Sequence, residues 1–518
     1  MALPKFKNEP VTDFTKKKNV KEFKKALKKI EPRFKQEYPL SIGTEKLCSD
    51  DKLKSYNPSN HDEIVGIFQR ATIEQAMNAI EIANTKFNEW KKVSSEKRAN
   101  YLLKAAKIMR KRKHEFSAMM VCEVGKNWAE ADGDTAEAID FMEFYAREAL
   151  RYDEKQPLVK YPCEKNTLKY IPLGVGVVIP PWNFPLAILV GMTTAAIVSG
   201  NTVILKPSSD SPAIAQMFYE LMEEVKLPAG VLNFVTGGGG SIGDSLVKHH
   251  LTRFIAFTGS MDVGLGIVDL AAKKDPKQIW IKRVVAEMGG KDTIIIDSEL
   301  RNFNDAIKGV ITAAFGYSGQ KCSACSRVLV DEKIYDKFCK ELTNAAKQIK
   351  VNDTRLNPNM GPVINESSKK SILEYIDKGV EEGGIIIYGG KEIQSTGHFV
   401  EPTIIKDVKP YDTISQEEIF GPVLAVIKSK NFDDALEIAN NTIYGLTGAV
   451  YSKDQKKLDK AAEDFHVGNL YLNRKCTGAL VGVQPFGGFN MSGTDSKAGG
   501  RDYLGLFMQA KVITEKVK

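Results

Sequence analysis

The sequence predicts an α/β protein with two doubly wound parallel-sheet domains, and three observations carry that expectation. The chain has 518 residues, more than one hydrophobic core usually supports, so at least two large folding units are expected. Past residue 70, short apolar runs bounded by turn residues alternate with stretches of helical periodicity, the pattern of repeated strand, helix, strand units. A second alternating set follows Gly289 and Gly290, which places a domain boundary there.

The elements follow in chain order. Between residues 16 and 35 lysines are dense while Val20, Phe23, Leu27 and Ile30 recur at helical spacing, so the segment reads as an amphipathic helix. Asp13, Glu22 and Glu31 interrupt the positive charge, which favours a solvated basic face over a polyanion or membrane contact. Thr72 and Gln75 form a capping box for a helix with Ile73, Met77, Ile80 and Ala83 on one face. From Tyr170 to Leu205 no side chain is charged, a length able in principle to span a bilayer. Pro180, Pro181 and Pro185 with Gly200 and Asn201 break that stretch, so a buried strand, a turn and a buried helix are expected instead. Strands are predicted at residues 175 to 179, 202 to 205, 231 to 235 and 254 to 257. One intervening helix opens at Pro212 with Ser211 as its cap and stops near Gly230. After Gly290 come strands at 293 to 296 and 328 to 330, with helices around 335 to 349 and 368 to 382.

Composition excludes several classes. Hydrophobic residues at 43% and charged residues at 27% are ordinary for a globular chain and argue against disorder. Lys5, Lys7 and Glu9 open the chain where a signal peptide would be apolar. The seven cysteines are odd in number and scattered, unlike a secreted disulfide framework, so a reducing, cytoplasmic location is expected.

Four features carry chemistry. A strand ending at Val235 runs into Gly238-Gly239-Gly240-Ser241-Ile242-Gly243 and a helix start, which suits a pyrophosphate at a helix N-terminus or, more blandly, a flexible turn. Thr258-Gly259-Ser260 offers a second such turn, and Lys206 ends a further strand, where it reaches a ribose or simply meets solvent. Cys322 is crowded by glycines beside Lys321, and a nearby cation and helix end would favour the attacking thiolate; metal ligation or a redox pair with Cys325 are the competing readings. Glu287, among apolar residues and glycines, suits a general base whose pKa burial raises, or else a salt-bridged structural acid.

Together these motifs resemble the aldehyde dehydrogenase superfamily. Ile179-Pro180-Pro181-Trp182-Asn183-Phe184-Pro185, Ala286-Glu287-Met288-Gly289-Gly290-Lys291, Gly319-Gln320-Lys321-Cys322, Glu417-Glu418-Ile419-Phe420-Gly421-Pro422 and Pro485-Phe486-Gly487-Gly488 carry the likeness. It implies Cys322 as nucleophile, Glu287 as base and Asn183 as the amide that holds an oxyanion. It further implies a dinucleotide cradle of Ile179, Trp182, Lys206, Ser209, Gly239, Gly243, Ser260, Glu418 and Phe420. Lys206 and Glu418 would take the riboses, Ser260 the pyrophosphate and Phe420 the nicotinamide. Ser209 stands where strictly NAD-using members carry an acid, so NAD is expected with NADP possible. The implied aldehyde dehydrogenase-like fold has a dinucleotide domain (residues 1 to 149 and 171 to 288) and a catalytic domain (289 to 489). A small oligomerisation hairpin (150 to 170 with 490 to 518) completes it, and members are homodimers or assemblies of dimers.

Within the superfamily the likeness narrows to the 1-pyrroline-5-carboxylate dehydrogenase branch, which oxidises glutamate γ-semialdehyde to glutamate. Lys321-Cys322-Ser323, Thr477-Gly478-Ala479 and the segment around Glu137 carry it. The implied substrate contacts are Glu137, Phe184, Lys321, Ser323, Gly478, Ala479 and Phe486, with no metal, nucleic acid or membrane partner. The rival readings are a dehydrogenase of another carboxylated semialdehyde such as succinic semialdehyde, a cofactor-independent cysteine hydrolase, and a non-catalytic binding protein using the basic arm.

Overall fold

A computed structural model describes residues 3–517; residues 1, 2 and 518, at the outer ends of the first and third expected units, lie outside the described residues. Its frame is two seven-stranded sheets, each covered by helices. In the first, the strands Arg283–Glu287, Thr252–Thr258, Val175–Ile179, Thr202–Leu205 and Leu232–Phe234 lie side by side in that spatial order and run parallel. The two remaining strands, Leu40–Ile42 and Glu45–Leu47, close one edge antiparallel, so the sheet is mixed rather than purely parallel. Chain order reverses between Val175–Ile179 and Thr252–Thr258, the switch point where sheets of this kind hold ligands outside the carboxyl ends of their strands.

The second sheet orders Ile385–Tyr388, Thr403–Lys406, Val423–Ser429, Cys325–Asp331, Asp292–Ile296, Thr447–Tyr451 and Asn469–Leu472. All pairs are parallel except the edge strand Ile385–Tyr388. Its central strands are wholly buried runs such as Asp292–Ile296, as a sheet covered on both faces requires. The two sheets approach with opposite polarity. The first offers the carboxyl ends of its strands, while the second offers the amino ends that follow Cys322, Lys291 and Glu418.

Most sequence expectations for single elements hold in detail. The capping box of Thr72 and Gln75 opens the helix Ile73–Trp90, which buries Ala76, Ala79, Ile80 and Ala83. Ile73 does not share that face: it is exposed at the first turn, because it sits ahead of the stripe that meets the sheet. The basic helix Lys17–Ile30 buries Phe23, Ala26 and Ile30 and leaves its lysines in solvent. Phe23 stacks near Trp128, with ring centroids 4.6 Å apart. The uncharged stretch folds as strand, loop and the helix Ala187–Val198; no helix among the described residues is long and apolar enough to cross a membrane.

Two further expectations need correction. Ser211 does not cap the helix Pro212–Glu224 with its side chain. The buried carboxylate of Glu123 does so instead, accepting from the amides of Ala213 (2.6 Å) and Ile214 (2.8 Å) and from the Ser55 hydroxyl (2.9 Å). A carboxyl cap offers two oxygens to the orphan amides where a serine offers one. The region expected as a hairpin near residues 150 to 170 is also different. Residues 150 to 153 finish the long helix Trp128–Asp153, and a single strand, Glu164–Pro172, pairs antiparallel with the C-terminal strand Met508–Lys516. The C-terminal strand is exposed along almost its whole length.

Candidate active site

The segment that delivers Cys322 is wound tightly. Tyr317, Ser318 and Gly319 occupy the left-handed region in succession, with φ of 53°, 56° and 68°. Such backbone persists only where the surroundings hold it. Here the Tyr317 hydroxyl donates to the Val124 carbonyl (2.8 Å) and the Ser318 hydroxyl to the Gly361 carbonyl (2.8 Å). Gln320, fully buried, receives the Ile364 amide at 2.8 Å. Any side chain at Gly319 would stand 2.1 Å from the Gly421 carbonyl oxygen, so only glycine passes.

The loop leaving Val175–Ile179 meets this segment. Asn183 is buried and its amide donates to the Gln320 carbonyl at 3.1 Å, two residues before Cys322. Trp182 packs edge-on against Phe420, with centroids 5.4 Å apart. Lys126, fully buried and ion-paired to Asp134 at 2.7 Å, lies 3.9 Å over the ring of Phe184 and fixes its plane. Glu287 ends its strand, half-buried as a residue, with Oε2 shut from solvent and without a hydrogen-bond partner among the described residues. Oε1 receives the hydroxyl of Ser496.

Two cavities meet at Cys322. One, of about 950 Å³, is lined by Ile179, Trp182, Asn183, Lys206, Ser209, Gly239, Gly243, Ser260, Glu418 and Phe420. The other is small, about 120 Å³, with walls that include Glu137, Phe184, Glu287, Ser323, Gly478, Ala479 and Phe486. Cys322 lines both, together with Thr258 and Met288.

In the large cavity, Lys206 is buried at its strand end and, among the described residues, donates only to the carbonyls of Pro207 and Gly237, both at 3.2 Å; burial pulls its pKa down to about 8. Glu418 receives the Gly290 amide at 3.1 Å, and burial pushes it up to about 7. Gly289 lets it come close, since an added Cβ would stand 2.2 Å from Glu418 Oε2. Ser260 opens the helix Met261–Ala272 without using its hydroxyl as a cap. The glycine run forms one π-helical turn over Gly239–Gly243, and Gly239 and Gly240 face open space.

A model of the aldehyde dehydrogenase family matches residues 46–513. The chain belongs to the aldehyde dehydrogenase family. It is 55% identical over 511 residues to a 1-pyrroline-5-carboxylate dehydrogenase of Geobacillus sp. (strain WCH70), covering 98% of this chain and 99% of that one. A 1-pyrroline-5-carboxylate dehydrogenase from Thermus with bound NAD superposes with a TM-score of 0.98 at 46% identity, covering 100% of both chains. A betaine aldehyde dehydrogenase from Staphylococcus aureus in complex with NAD+ gives 0.89 at 28% identity, over 95% of this chain and 97% of that one.

Of the residues that the sequence assigns to the site, all but Lys321 line one of the two cavities. Lys321 is not in the wall: its ammonium lies between the two carboxylate oxygens of Glu130, both at 2.7 Å, and so serves an ion pair rather than the cavity. The expected help toward a thiolate is therefore missing. Burial pushes the Cys322 thiol well above its ordinary range, and Asp292, Glu418 and Glu287 add to the rise; the Ser323 amide opposes it. Cys325 packs into the hydrophobic core of the second sheet rather than either cavity. Glu130, Ser496 and Lys126 escaped the sequence reading, since each acts through a neighbour far along the chain.

A neutral thiol has a measurable consequence. In the cofactor-free protein, alkylation of Cys322 by iodoacetamide, followed by peptide mass spectrometry, should be slower at pH 7 than that of exposed Cys48 and Cys163. Its rate climbs throughout pH 7 to 9; a plateau near pH 7 would contradict the electrostatics described.

Proposed function

We propose that the enzyme oxidises L-glutamate γ-semialdehyde, the open form of 1-pyrroline-5-carboxylate, to L-glutamate with NAD, through a thioester on Cys322. The observation that supports it most is the position of Cys322 where a dinucleotide-sized cavity meets a small one. The donors in the large cavity fit NAD. Lys206 and Glu418 are buried charges with few partners, suited to ribose hydroxyls, while Ser260 and the Gly239–Gly243 turn suit the pyrophosphate. Phe420, packed on Trp182, would border the nicotinamide, which supplies the hydride acceptor when bound. Ser209 brings no charge against a 2′-phosphate, but Asp210 lines the same wall and favours NAD over NADP.

The protein's own steps follow from the geometry. Cys322 attacks the aldehyde carbon, ionising most readily with a positive charge beside it, because its nearest carboxylates all oppose ionisation. The Asn183 amide and the Cys322 backbone amide hold the resulting oxyanion; one such donor is typically worth about two to three orders of magnitude in rate. Loss of hydride leaves the thioester. Glu287 then takes a proton from water as the resulting hydroxide attacks the acyl carbon, and collapse frees glutamate and the Cys322 thiolate, to which Glu287 returns the proton. Burial pushes the Glu287 pKa up to about 8. Deacylation needs the carboxylate, so its rate should rise with pH up to and through that value.

Substrate choice rests on the small cavity. Ser323 and the backbone of Gly478 and Ala479 supply donors for the α-carboxylate, and Glu137 an acceptor for the α-ammonium. Burial pushes Glu137 up to about 8, so an incoming ammonium restores its charge. We place the enzyme in the cytoplasm, as a dimer or an assembly of dimers formed through the ribbon of Glu164–Pro172 and Met508–Lys516, which exposes Val512 and Ile513. Sedimentation of the pure protein should give at least twice the mass of one chain; a single-chain mass would refute that assembly.

The reaction is tested by following reduced nucleotide with glutamate γ-semialdehyde and NAD. Glu287→Gln should give one burst of reduced cofactor per site and then stall, because acylation survives while hydrolysis does not; steady turnover in that variant would remove Glu287 from the role. Glu137→Gln should raise KM for glutamate γ-semialdehyde about tenfold or more, the scale of a lost charge-assisted bond, with little change for succinic semialdehyde, which has no ammonium. Equal effects on both aldehydes would count against an α-amino substrate.

A further inference from the structure

The chain that borders Glu287 comes from more than 200 residues downstream and is stitched to it bond by bond. The Met288 amide donates to the Ser492 carbonyl (2.8 Å), the Thr494 amide to the Ala286 carbonyl (2.9 Å), and the Ala286 amide to the Thr494 hydroxyl (3.0 Å). Two residues on, the Ser496 hydroxyl donates to Glu287 Oε1. Lys497 does not approach the carboxylate as a hydrogen-bond donor; its ammonium is spent on the carbonyls of Gly468 (2.8 Å) and Gly487. At the far end, Ala498 and Phe486 exchange backbone bonds at 2.8 and 2.9 Å, and Phe486 is part of the small cavity's wall. The ribbon passes so close to Gly487 that a Cβ there would stand 1.7 Å from the Ser496 carbonyl oxygen.

We propose that Ser496 is a positioning residue for deacylation: its hydroxyl holds Glu287 Oε1 and leaves Oε2 to take the proton of the attacking water. The inference rests on Glu287 being the base. Ser496 is suited to this because it is itself buried and reached only through the ribbon, so its hydroxyl has little alternative to the carboxylate. Oε2, by contrast, is shut from solvent and has no partner among the described residues. The charged and titratable groups facing Glu287 are Lys497 and Asp495 on the ribbon, Cys322 across the cavity and Tyr503 behind it. Of the groups acting on Glu287, Ser496 contributes the largest pull toward the carboxylate, ahead of the Gly488 amide and Lys497, while burial, the largest effect, pushes the other way. A lost donor to an anion raises that anion's pKa.

The test follows thioester decay by rapid acid quench after a single turnover with glutamate γ-semialdehyde and NAD. It compares the parent, Ser496→Ala, Ser496→Thr and Glu287→Gln over pH 6 to 10. In Ser496→Ala the acid limb of decay should move up by about one pH unit or more, so that decay is about tenfold slower at pH 7 and converges with the parent at high pH. The burst of reduced cofactor should be unchanged, and Ser496→Thr should restore the parent profile. Decay in Ser496→Ala that matches the parent at every pH, or falls by one constant factor at every pH, overturns the assignment. Glu287→Gln separates the two readings: if it stalls while Ser496→Ala behaves as the parent, only the role of Ser496 falls. If Glu287→Gln hydrolyses the thioester at the parent rate, the base itself has been misassigned.

Discussion

The left-handed turn at Tyr317, Ser318 and Gly319 is the constraint on which the rest of the site depends. Two non-glycine residues held at positive φ cost on the order of 1 to 3 kcal/mol each. That strain is offset by the buried bonds of Tyr317, Ser318 and Gln320 to two separate stretches of chain, one at Val124 and one from Gly361 to Ile364. Because those anchors are distributed, the turn cannot relax without unpairing buried groups elsewhere. Cys322, three residues beyond Gly319, is thereby held at the mouth of both cavities before any ligand arrives, and the Gln320 carbonyl that fixes Asn183 belongs to the same turn. Nucleophile and oxyanion donor are set by one piece of backbone.

Electrostatics then set the state in which the site's acids and thiol rest. Cys322, Glu287, Glu418 and Glu137 are all pushed toward their neutral forms, and burial is the first cause for each. Carboxylates crowded into a low-dielectric region also raise one another and the thiol. An incoming cationic group therefore finds an acid able to ionise against it. Lys321, the cation a reader of the sequence would assign to the thiolate, is instead neutralised by Glu130, which keeps it from competing with an ammonium for the same acids.

How much of this was legible in the sequence follows from the range of each interaction. Elements decided within a few residues were readable: the capping box at Thr72 and Gln75, the strands Val175–Ile179 and Thr202–Leu205, and the amphipathic helix Lys17–Ile30. Cavity walls were legible through the family resemblance, most of whose motifs lie at strand ends that the fold brings together, although Glu137 sits within the helix Trp128–Asp153. What failed was partner choice across the chain. Ser211 has the composition of a cap, yet Glu123, 90 residues from the amide it serves, takes the position. Lys321 stands next to Cys322 in sequence, but 191 residues separate it from the Glu130 that holds it. No local pattern ranks such partners, because their separation in space is fixed only once both sheets are formed.

The opposed polarity of the two sheets gives that long-range dependence a purpose. Carboxyl ends of the first sheet supply groups that hold or activate: Asn183, Lys206, Ser260 and Glu287 all follow or end its strands. Amino ends of the second supply the groups that must be placed against them, Cys322, Glu418 and Phe420, each just before a strand. Neither sheet holds a complete reaction centre. The contacts that join them, such as Asn183 to Gln320 and Gly290 to Glu418, are therefore also the contacts that complete the chemistry. A change that loosens the meeting of the sheets by a fraction of an ångström separates sulfur, amide and carboxylate together, while leaving each half free to fold. Activity in such an architecture is more sensitive than stability to substitutions at the seam, and glycines concentrate there because backbones and carboxylates approach too closely for any Cβ, as at Gly289, Gly319 and Gly487.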